Sequence, residues 1–417
     1  MNCASISLQE GNLYLKHCFW RRRIGLWQLA VARTAPRAVV CRRLTETMAA
    51  NTELSIPTLD IAPYVAWRAS LNPGDDDATP PPAAAAVVAA WRDAYATYGF
   101  SQVVGHGVAD AVIEDAHGLA RQFFETTTED ERDAVADEMI KDRGRGYKRQ
   151  GVVAVAGAGV SADGRSSVAR PADYAMEYIA LCDGRDPSLG HLVDGLSEAI
   201  DAYFHAMLRL NCVFMELTAL ALGLARSHFA EAFGGNSWLN RLRCAYYPSQ
   251  KGVAPKKNQL RYGEHTDWQA FTLLWQDHNA LGFPQCSDVK AGAQVVPPPG
   301  GLQVEVESDL PAPAGREGTR PGTVFVDCKP ECRALTVNAG DQIEVWTNGV
   351  FKSCVHRVAN PPPGCPYARL SLVLFTGPQP ETPLAPLPTC VTADRPAKFP
   401  ATTSGAHLQM KIDASTA

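Results

Sequence analysis

Hydrophobic residues in the first half of the chain recur at the three- and four-residue spacing of amphipathic helices. This spacing predicts a helix over 83–98, two helices over 109–140, and one long helix within 192–224 that we expect to be a scaffold packed on a sheet. Two short runs, 56–61 and 100–104, have the character of strands instead. The first half is therefore predicted to be mainly helical.

The pattern changes after residue 239, where short apolar runs alternate with glycine and proline. These strand-like runs are 242–247, 271–275, 301–306, 323–326, 335–338, 342–346, 354–358 and 370–375. Short strands in such succession are typical of an antiparallel sandwich or barrel. We therefore predict an α+β fold whose core is a double-stranded β-helix, or jelly roll, with flanking helices that include the long scaffold helix.

Three segments depart from this regular pattern. Residues 284–300 and 307–321 are rich in proline and glycine, which predicts loops inserted between strands. Residues 379–417 begin with a run rich in proline and threonine, and we expect a poorly ordered tail there.

Composition limits the classes of partner. The 417 residues are 46% hydrophobic and 20% charged, a normal globular mix, and the net charge is -5. Because the predicted folded part has no long basic stretch, nucleic acid and an anionic membrane surface are disfavoured as main partners. We expect a monomer that acts on a small molecule. Twelve cysteines without a CxxC pair indicate neither a structural zinc site nor a disulfide framework, and favour reduced thiols.

The first 47 residues have a composition of their own. Seven arginines lie there among apolar residues, and only Glu10 and Glu46 are acidic. This is typical of an organelle transit peptide, but a spurious extension upstream of Met48 explains it equally well. The expected location is accordingly the cytoplasm, or an organelle if the segment is genuine.

The stretch RYGEHTDWQAFTLLWQ at 261–276 carries the candidate chemistry. In an extended strand His265 and Asp267 would point to the same side, because alternate side chains share a face. An imidazole and a carboxylate are two of the three ligands of a two-histidine, one-carboxylate iron site. An HxD triplet alone is weak support, since a buried histidine is more often a hydrogen-bonded core residue.

The third ligand must come from another part of the chain. Downstream histidines are His278 in a polar turn, His407 in the tail, and His356 inside the strand-like SCVHRV, where a second wall could face the first. Farther along, Arg369 and Ser371 share one side of another apolar strand. A bound carboxylate would explain a buried guanidinium there, because its planar fork matches a carboxylate and an unpaired buried charge is costly.

These residues, together with other segments of the chain, resemble a known protein family. HTD at 265–267, NAGDQIEVWTNGVFKSCVHRV at 338–358 and RLS at 369–371 resemble the 2-oxoglutarate- and iron(II)-dependent oxygenases of the isopenicillin N synthase-like group. IPTLDI at 56–61, YGFSQVVGHGV at 98–108 and LRCAYYP at 242–248 are similar to further segments of that group. The resemblance implies an N-terminal region over 56–170, a helical scaffold over 187–233 and a jelly-roll domain over 239–378.

The resemblance also implies the roles of individual residues. His265, Asp267 and His356 would bind Fe(II), while Arg369 and Ser371 would hold the distal carboxylate of the cosubstrate 2-oxoglutarate, with Tyr247 as a further partner. With O2, such an enzyme hydroxylates or desaturates a small organic molecule and releases succinate and CO2. Two alternatives stay open: an iron-dependent oxidase of the same fold that does not use 2-oxoglutarate, and a non-catalytic jelly-roll binding protein.

A few positions depart from the group or are undecided. Ala245 stands where many plant members have an asparagine that helps to hold the keto acid. Cys354 shares the side of its strand with His356, which allows either packing or metal ligation. The basic loop 143–150 is either a solvated surface or a contact for an anionic substrate group. Further candidates for the pocket wall are Trp268, Phe375 and Met176.

Overall fold

The computed structural model describes residues 54–138, 146–149, 177–181, 186–277 and 301–416, apart from positions 73, 77, 236, 253, 257–258 and 332. Residues Ser55–Ala417 form one compact unit. The predictions for 1–47 and 284–300, the turn at His278, most of loop 143–150 and the pocket candidate Met176 lie outside the described residues.

The strands are, in chain order, β1 (Thr58–Asp60), β2 (Phe100–Val104), β3 (Gly146–Lys148), β4 (Glu177–Leu181), β5 (Arg241–Tyr247), β6 (Tyr262–His265), β7 (Phe271–Gln276), β8 (Leu302–Glu307), β9 (Thr323–Asp327), β10 (Leu335–Ala339), β11 (His356–Val358), β12 (Arg369–Phe375), β13 (Pro383–Leu384) and β14 (Thr402–Thr403). Eight of them form a large sheet in the order β1-β2-β10-β7-β12-β5-β4-β3, and four form a smaller sheet in the order β6-β11-β8-β9. Apart from the parallel pair β1 and β2, neighbouring strands run antiparallel. The predicted α+β fold with a jelly-roll core is confirmed.

The helices are α1 (Ala62–Ala69), α2 (Pro82–Thr97), α3 (Asp110–Thr126), α4 (Glu129–Glu138), α5 (Leu196–Ala221), α6 (Ala230–Phe233), α7 (Asp341–Trp346) and α8 (Ser404–Thr416). The predicted scaffold is α5, whose apolar face is buried against α2, α3 and β7. The Trp91 indole of α2 stacks on Phe214 of α5 and meets Phe271 of β7 edge-on. The helices thus cover one face of the large sheet, which leaves its other face to the smaller sheet.

The strand predicted over 342–346 is wrong, because Asp341–Trp346 is the short helix α7. Over six residues the apolar positions Ile343, Val345 and Trp346 fit a two-residue period nearly as well as a helical turn. The helical turn is fixed by backbone contacts, since the Asp341 amide donates to the Asp267 carbonyl (2.8 Å) and the Glu344 amide to the Gly340 carbonyl (3.2 Å).

The expectation of a poorly ordered tail is also wrong. Residues after Pro378 form β13, β14 and α8, and the side chains of Leu384, Cys390 and Leu408 are buried. The Lys411 ammonium of α8 lies 2.7 Å from the buried Asp341 carboxylate. Composition misled here because the tail is ordered by docking onto the jelly roll rather than by its own local propensity.

The loop predicted over 307–321 does connect β8 to β9. The Thr319 amide and hydroxyl donate to the Glu305 carboxylate (2.6 and 2.9 Å), and the Arg316 guanidinium pairs with Asp327 at 2.7 Å. These contacts anchor the loop to the smaller sheet. Within the described part of the chain, no helix has the length and apolar character needed to cross a membrane.

Candidate metal and anion site

The two candidate histidines are direct neighbours across two strands. His265 is the last residue of β6 and His356 the first of β11, and their Cα atoms are register partners. Their imidazole centroids lie 4.2 Å apart. Strand pairing therefore brings together two residues that are far apart in the sequence.

Asp267 completes the cluster from a turn. Strand β6 ends at His265, so the expectation that a single extended strand carries both residues is wrong. The Asp267 side chain nevertheless faces the histidines, and its Oδ1 lies 3.7 Å from the Nε2 atoms of both His265 and His356. One potential ligand atom from each residue lies within 4.8 Å of the other two.

Hydrogen bonds from residues outside the cluster determine which oxygen of Asp267 is available to a metal ion. Thr272 Oγ1 and Asn338 Nδ2 donate to Asp267 Oδ2 at 2.5 and 2.7 Å, and these two residues are cross-strand partners on β7 and β10. The carboxylate is therefore held by one oxygen, while the other faces the histidines. The sequence reasoning missed Asn338 and Thr272, although Asn338 begins the NAGD segment used for the family resemblance.

The imidazoles are held in the same way. His265 Nδ1 lies 2.8 Å from the Gly263 carbonyl, and His356 Nδ1 lies 3.1 Å from the Cys354 carbonyl. Because a carbonyl can only accept, each Nδ1 carries the proton and each Nε2 lone pair faces Asp267. Cys354 thus contributes its carbonyl, and among the described residues its thiol does not belong to the cluster.

Burial and charge keep these groups in metal-binding form. Burial, and then the neighbouring His356, lower the pKa of His265, so the imidazole is neutral. Burial by itself would raise the pKa of Asp267, but the two histidines and the hydrogen bonds from Asn338 and Thr272 together lower it. Two imidazole Nε2 atoms and one carboxylate oxygen fit a divalent metal ion that keeps open coordination positions.

A buried guanidinium lies in the same cavity. Arg369 is 4% exposed, and its Nη2 donates to Gln276 Oε1 at 2.9 Å. Its Nη1 and the hydroxyl of Ser371 are buried and have no hydrogen-bond partner among the described residues. The Arg369 guanidinium carbon lies 5.0 Å from the centre of the Tyr247 ring. Two buried donors without an acceptor indicate an anionic ligand, because leaving them unmet is costly.

A second cluster supports the strand that carries Arg369. The Asp277 carboxylate accepts from the Leu370 amide (2.7 Å) and from Arg121 Nη2 (2.6 Å), and it lies 2.6 Å from His117 Nε2. Burial alone would raise its pKa, but His117 and Arg121 lower the pKa of Asp277 to about 2. This link between α3 and β12 was not predicted; an aspartate directly after an apolar strand was the signal available.

One cavity between the sheets contains both the candidate metal ligands and the Arg369 guanidinium. Its wall includes the three candidate ligands, Arg369, Ser371 and Tyr247. Ala245 and Phe375 also line it, whereas Trp268 is not part of the described wall. The six predicted site residues therefore face one common space.

Two family models match the chain. Residues 56–171 match the model described as non-haem dioxygenase in morphine synthesis N-terminal, and residues 312–378 match the 2OG-Fe(II) oxygenase superfamily model. The second match includes His356, Arg369 and Ser371 and begins after the HTD triplet.

Curated relatives agree with these models. Jasmonate-induced oxygenase 2 of Arabidopsis thaliana is 27% identical over 312 residues, which cover 74% of this chain and 69% of the relative. Gibberellin 20 oxidase 1-A of Triticum aestivum is 28% identical over 311 residues, covering 74% and 71%.

Solved structures share the fold. A full-length Neurospora crassa protein in complex with alpha-KG and thymine gives a TM-score of 0.61 at 22% identity, covering 88% of this chain and 99% of that one. JOX2 in complex with 2OG, Fe and JA gives a TM-score of 0.57 at 24% identity, covering 87% and 85%. At these identities the structural likeness speaks for the fold alone.

Proposed function

The chain belongs to the 2-oxoglutarate- and iron(II)-dependent oxygenases of the isopenicillin N synthase-like family, and from this premise we propose that His265, Asp267 and His356 bind the iron. The observation that carries the proposal is the convergence of one potential ligand atom from each residue within 4.8 Å of the other two, with both histidine Nε2 atoms 3.7 Å from Asp267 Oδ1. The Thr272 and Asn338 donors support it, since they leave Asp267 Oδ1 free to act as a ligand. When bound, iron would couple two reactions. One is the oxidative decarboxylation of 2-oxoglutarate by O2, which releases succinate and CO2, and the other is the oxidation of a substrate.

We propose that Arg369 and Ser371 bind the distal carboxylate of 2-oxoglutarate. Arg369 Nη1 and Ser371 Oγ are buried donors without a described acceptor, and one carboxylate can accept from both. Gln276 holds the other arm of the guanidinium, and the Tyr247 ring lies beneath it. We assign Tyr247 the role of packing and orienting this end of the cosubstrate.

The main substrate is proposed to be a small organic molecule that the enzyme hydroxylates or desaturates. The candidate metal ligands and Arg369 share one cavity whose wall is otherwise largely apolar, as is usual for small-molecule sites. A relative named gibberellin 20 oxidase, and a structural neighbour that holds thymine, support a small organic substrate. The chain's own residues would orient this molecule beside the metal and keep water from the cavity.

Equilibrium binding and product release test the proposed cosubstrate site. Iron-loaded wild-type protein should bind 2-oxoglutarate anaerobically with a weak visible charge-transfer band and release succinate when O2 is admitted. Arg369→Ala should weaken 2-oxoglutarate binding by about 100-fold or more, because a buried charged hydrogen bond is lost, while iron still binds.

Arg92, which is exposed on α2, provides the matched control, and Arg92→Ala should behave as wild type. The proposal fails if folded, iron-loaded wild-type protein shows neither the band nor succinate. The assignment of the clamp fails if Arg369→Ala binds 2-oxoglutarate as tightly as the control does.

A further inference from the structure

A buried amide lies behind the proposed clamp of Arg369 and Ser371. Gln276 is 2% exposed, its Oε1 accepts from Arg369 Nη2 at 2.9 Å, and its Nε2 donates to Thr336 Oγ1 at 3.2 Å. Because a guanidinium can only donate, the amide oxygen must face Arg369, and the amide nitrogen needs the acceptor that the Thr336 hydroxyl provides. Thr336 therefore fixes the direction in which the amide of Gln276 points.

Strand register places this pair of side chains beside the pair that holds Asp267. Gln276 lies four residues after Thr272 on β7, and Thr336 lies two residues before Asn338 on the adjacent strand β10. Side chains at even spacing share a face, so all four point to the side of the sheet that carries the cavity. The same two strands thus hold one group of the proposed metal site and one group of the clamp.

The partner of Arg369 is neutral, although the next residue in the sequence is an acid. Asp277 follows Gln276 and points to the other side of the sheet, where Arg121 and His117 compensate its charge. A carboxylate in place of the Gln276 amide would form an ion pair with Arg369 and compete with an anionic ligand for that charge. The amide instead orients the guanidinium by a hydrogen bond and leaves its charge to the ligand.

We propose that Gln276 is a positioning residue that, together with Thr336, gives the clamp its preference for a 2-oxo acid with a distal carboxylate. The inference rests on the proposed function and concerns the cosubstrate specificity of the same site. Gln276 is not among the described residues of the cavity wall, so it acts through Arg369. It holds one arm of the guanidinium, and the partnerless Nη1 is left to meet the cosubstrate together with the Ser371 hydroxyl.

Two ligands isolate the contribution of the distal carboxylate. They are 2-oxoglutarate and 2-oxovalerate, which has the same chain length and a methyl group in place of the distal carboxylate. Binding of each to iron(II)-loaded protein is measured anaerobically by calorimetry, and the ratio of the two affinities is the readout. Wild-type protein should prefer 2-oxoglutarate by about 100-fold, because only that ligand pairs with the buried guanidinium.

Two substitutions of Gln276 change its hydrogen bond and its charge separately. Gln276→Leu should lower the preference about tenfold, because the guanidinium loses the group that orients it. Gln276→Glu should lower it further, to within about threefold of equal affinities, because the new carboxylate pairs with Arg369. The Thr336 hydroxyl can donate to that carboxylate, so this variant keeps the link to β10.

Substitutions of Thr336 test the orientation of the amide without changing Gln276. Thr336→Val should lower the preference about threefold or more, because the amide nitrogen would lose its acceptor, and Thr336→Ser should restore it. Melting temperature and iron stoichiometry verify that each variant is folded and loaded.

A second buried glutamine provides the matched control. Gln303 of the smaller sheet is 5% exposed, its Oε1 accepts from Arg357 Nε at 2.8 Å, and its Nε2 donates to Asp327 Oδ1 at 3.0 Å. Neither Gln303 nor Arg357 is among the described residues of the cavity wall. Gln303→Leu should therefore lower the stability of the fold without changing the preference between the two ligands.

Several results would overturn the inference. It fails if Gln276→Leu and Gln276→Glu keep the wild-type preference, or if they weaken both ligands equally, because the role of Gln276 would then be structural. It also fails if Gln303→Leu changes the preference as much as Gln276→Leu does, or if Thr336→Val behaves as Thr336→Ser. If wild-type protein binds no 2-oxoglutarate at all, the proposed function itself is refuted, and that result is distinct from the others.

Discussion

At the scale of single residues, Asn338 determines how Asp267 is presented. Its amide donates to Oδ2 at 2.7 Å and so turns Oδ1 toward the two histidines. Removal of a group that orients a metal ligand typically lowers the metal affinity 10- to 100-fold. A residue outside the ligand set is therefore expected to control the metal.

Asn338→Ala should lower the affinity for Co(II), used as a spectroscopic substitute for iron, by about tenfold. The loss follows because the Asp267 carboxylate would keep only the Thr272 hydrogen bond on Oδ2. Titration monitored by visible absorbance measures it, with Asn72→Ala, an exposed asparagine, as the control. Equal affinities in the two variants would show that Asn338 does not orient the ligand.

Asp277 provides a prediction about pH. Its pKa is lowered to about 2, so the carboxylate stabilises the fold at pH values above its unfolded range near 4, and this contribution is lost as the pH falls toward 2. Asp277→Asn should lower the free energy of unfolding at pH 7 by about 3 kcal/mol, because Arg121 and His117 would lose a buried partner.

Urea unfolding of both proteins between pH 7 and pH 2 measures this dependence. The difference between wild type and Asp277→Asn should shrink by about 2 kcal/mol as the pH falls below 4. A difference that stays constant over the whole range would mean that the ion pairs of Asp277 do not stabilise the fold.

At the scale of elements, the C-terminal helix α8 supports the turn that carries Asp267. Lys411 of α8 pairs with Asp341 at 2.7 Å, and the Asp341 amide donates to the Asp267 carbonyl. Gln342 Nε2 adds a bond to the Ser404 carbonyl at the start of the helix. Helix α7 is thus bonded to the backbone of the proposed metal site, and α8 supports that site through α7.

Lys411→Met should destabilise the protein by about 3 kcal/mol or more, because the Asp341 carboxylate would stay buried without its cation. It should also weaken Co(II) binding, since Asp341 and the Asp267 turn share a hydrogen bond. Thermal unfolding and metal titration measure the two effects. Met410→Ala, an exposed position on the same helix, is the control, and equal behaviour of the two variants would refute the role of α8.

Some of the helices and strands could be predicted from the sequence and others could not. The long helix and most strands were predictable, because their hydrophobic periods extend over enough residues to be distinctive. The segment Asp341–Trp346 was not, because six residues fit two periods. The order in α8 was not either, because it depends on Lys411 meeting an aspartate seventy positions earlier in the chain.

At the scale of the whole molecule, two sheets enclose a cavity to which β5, β6, β7, β10, β11 and β12 each contribute. The six candidate site residues could be singled out because their spacing resembles that of a family, and all six line this cavity. Asn338, Thr272 and Asp277 could not, because their contacts depend on strand register and on the approach of distant elements. Sequence motifs thus mark the groups that would touch the metal and cosubstrate, whereas the structure identifies those that position them.

Other properties of the whole chain stay predictions. Light scattering after size-exclusion chromatography would test the expected monomer, and cell fractionation would test a cytoplasmic or organellar location. Limited proteolysis would test the division into regions 56–170, 187–233 and 239–378.

The central claim is that three side chains from distant parts of the chain bind one iron ion. Anaerobic calorimetric titration with Fe(II) of wild type, His265→Ala, Asp267→Ala, His356→Ala and the partly exposed control His205→Ala tests it most directly. We predict one ion per chain for wild type and control, and an affinity at least about 100-fold lower for each of the three other variants. Binding by folded His356→Ala with the affinity of wild type would contradict the account.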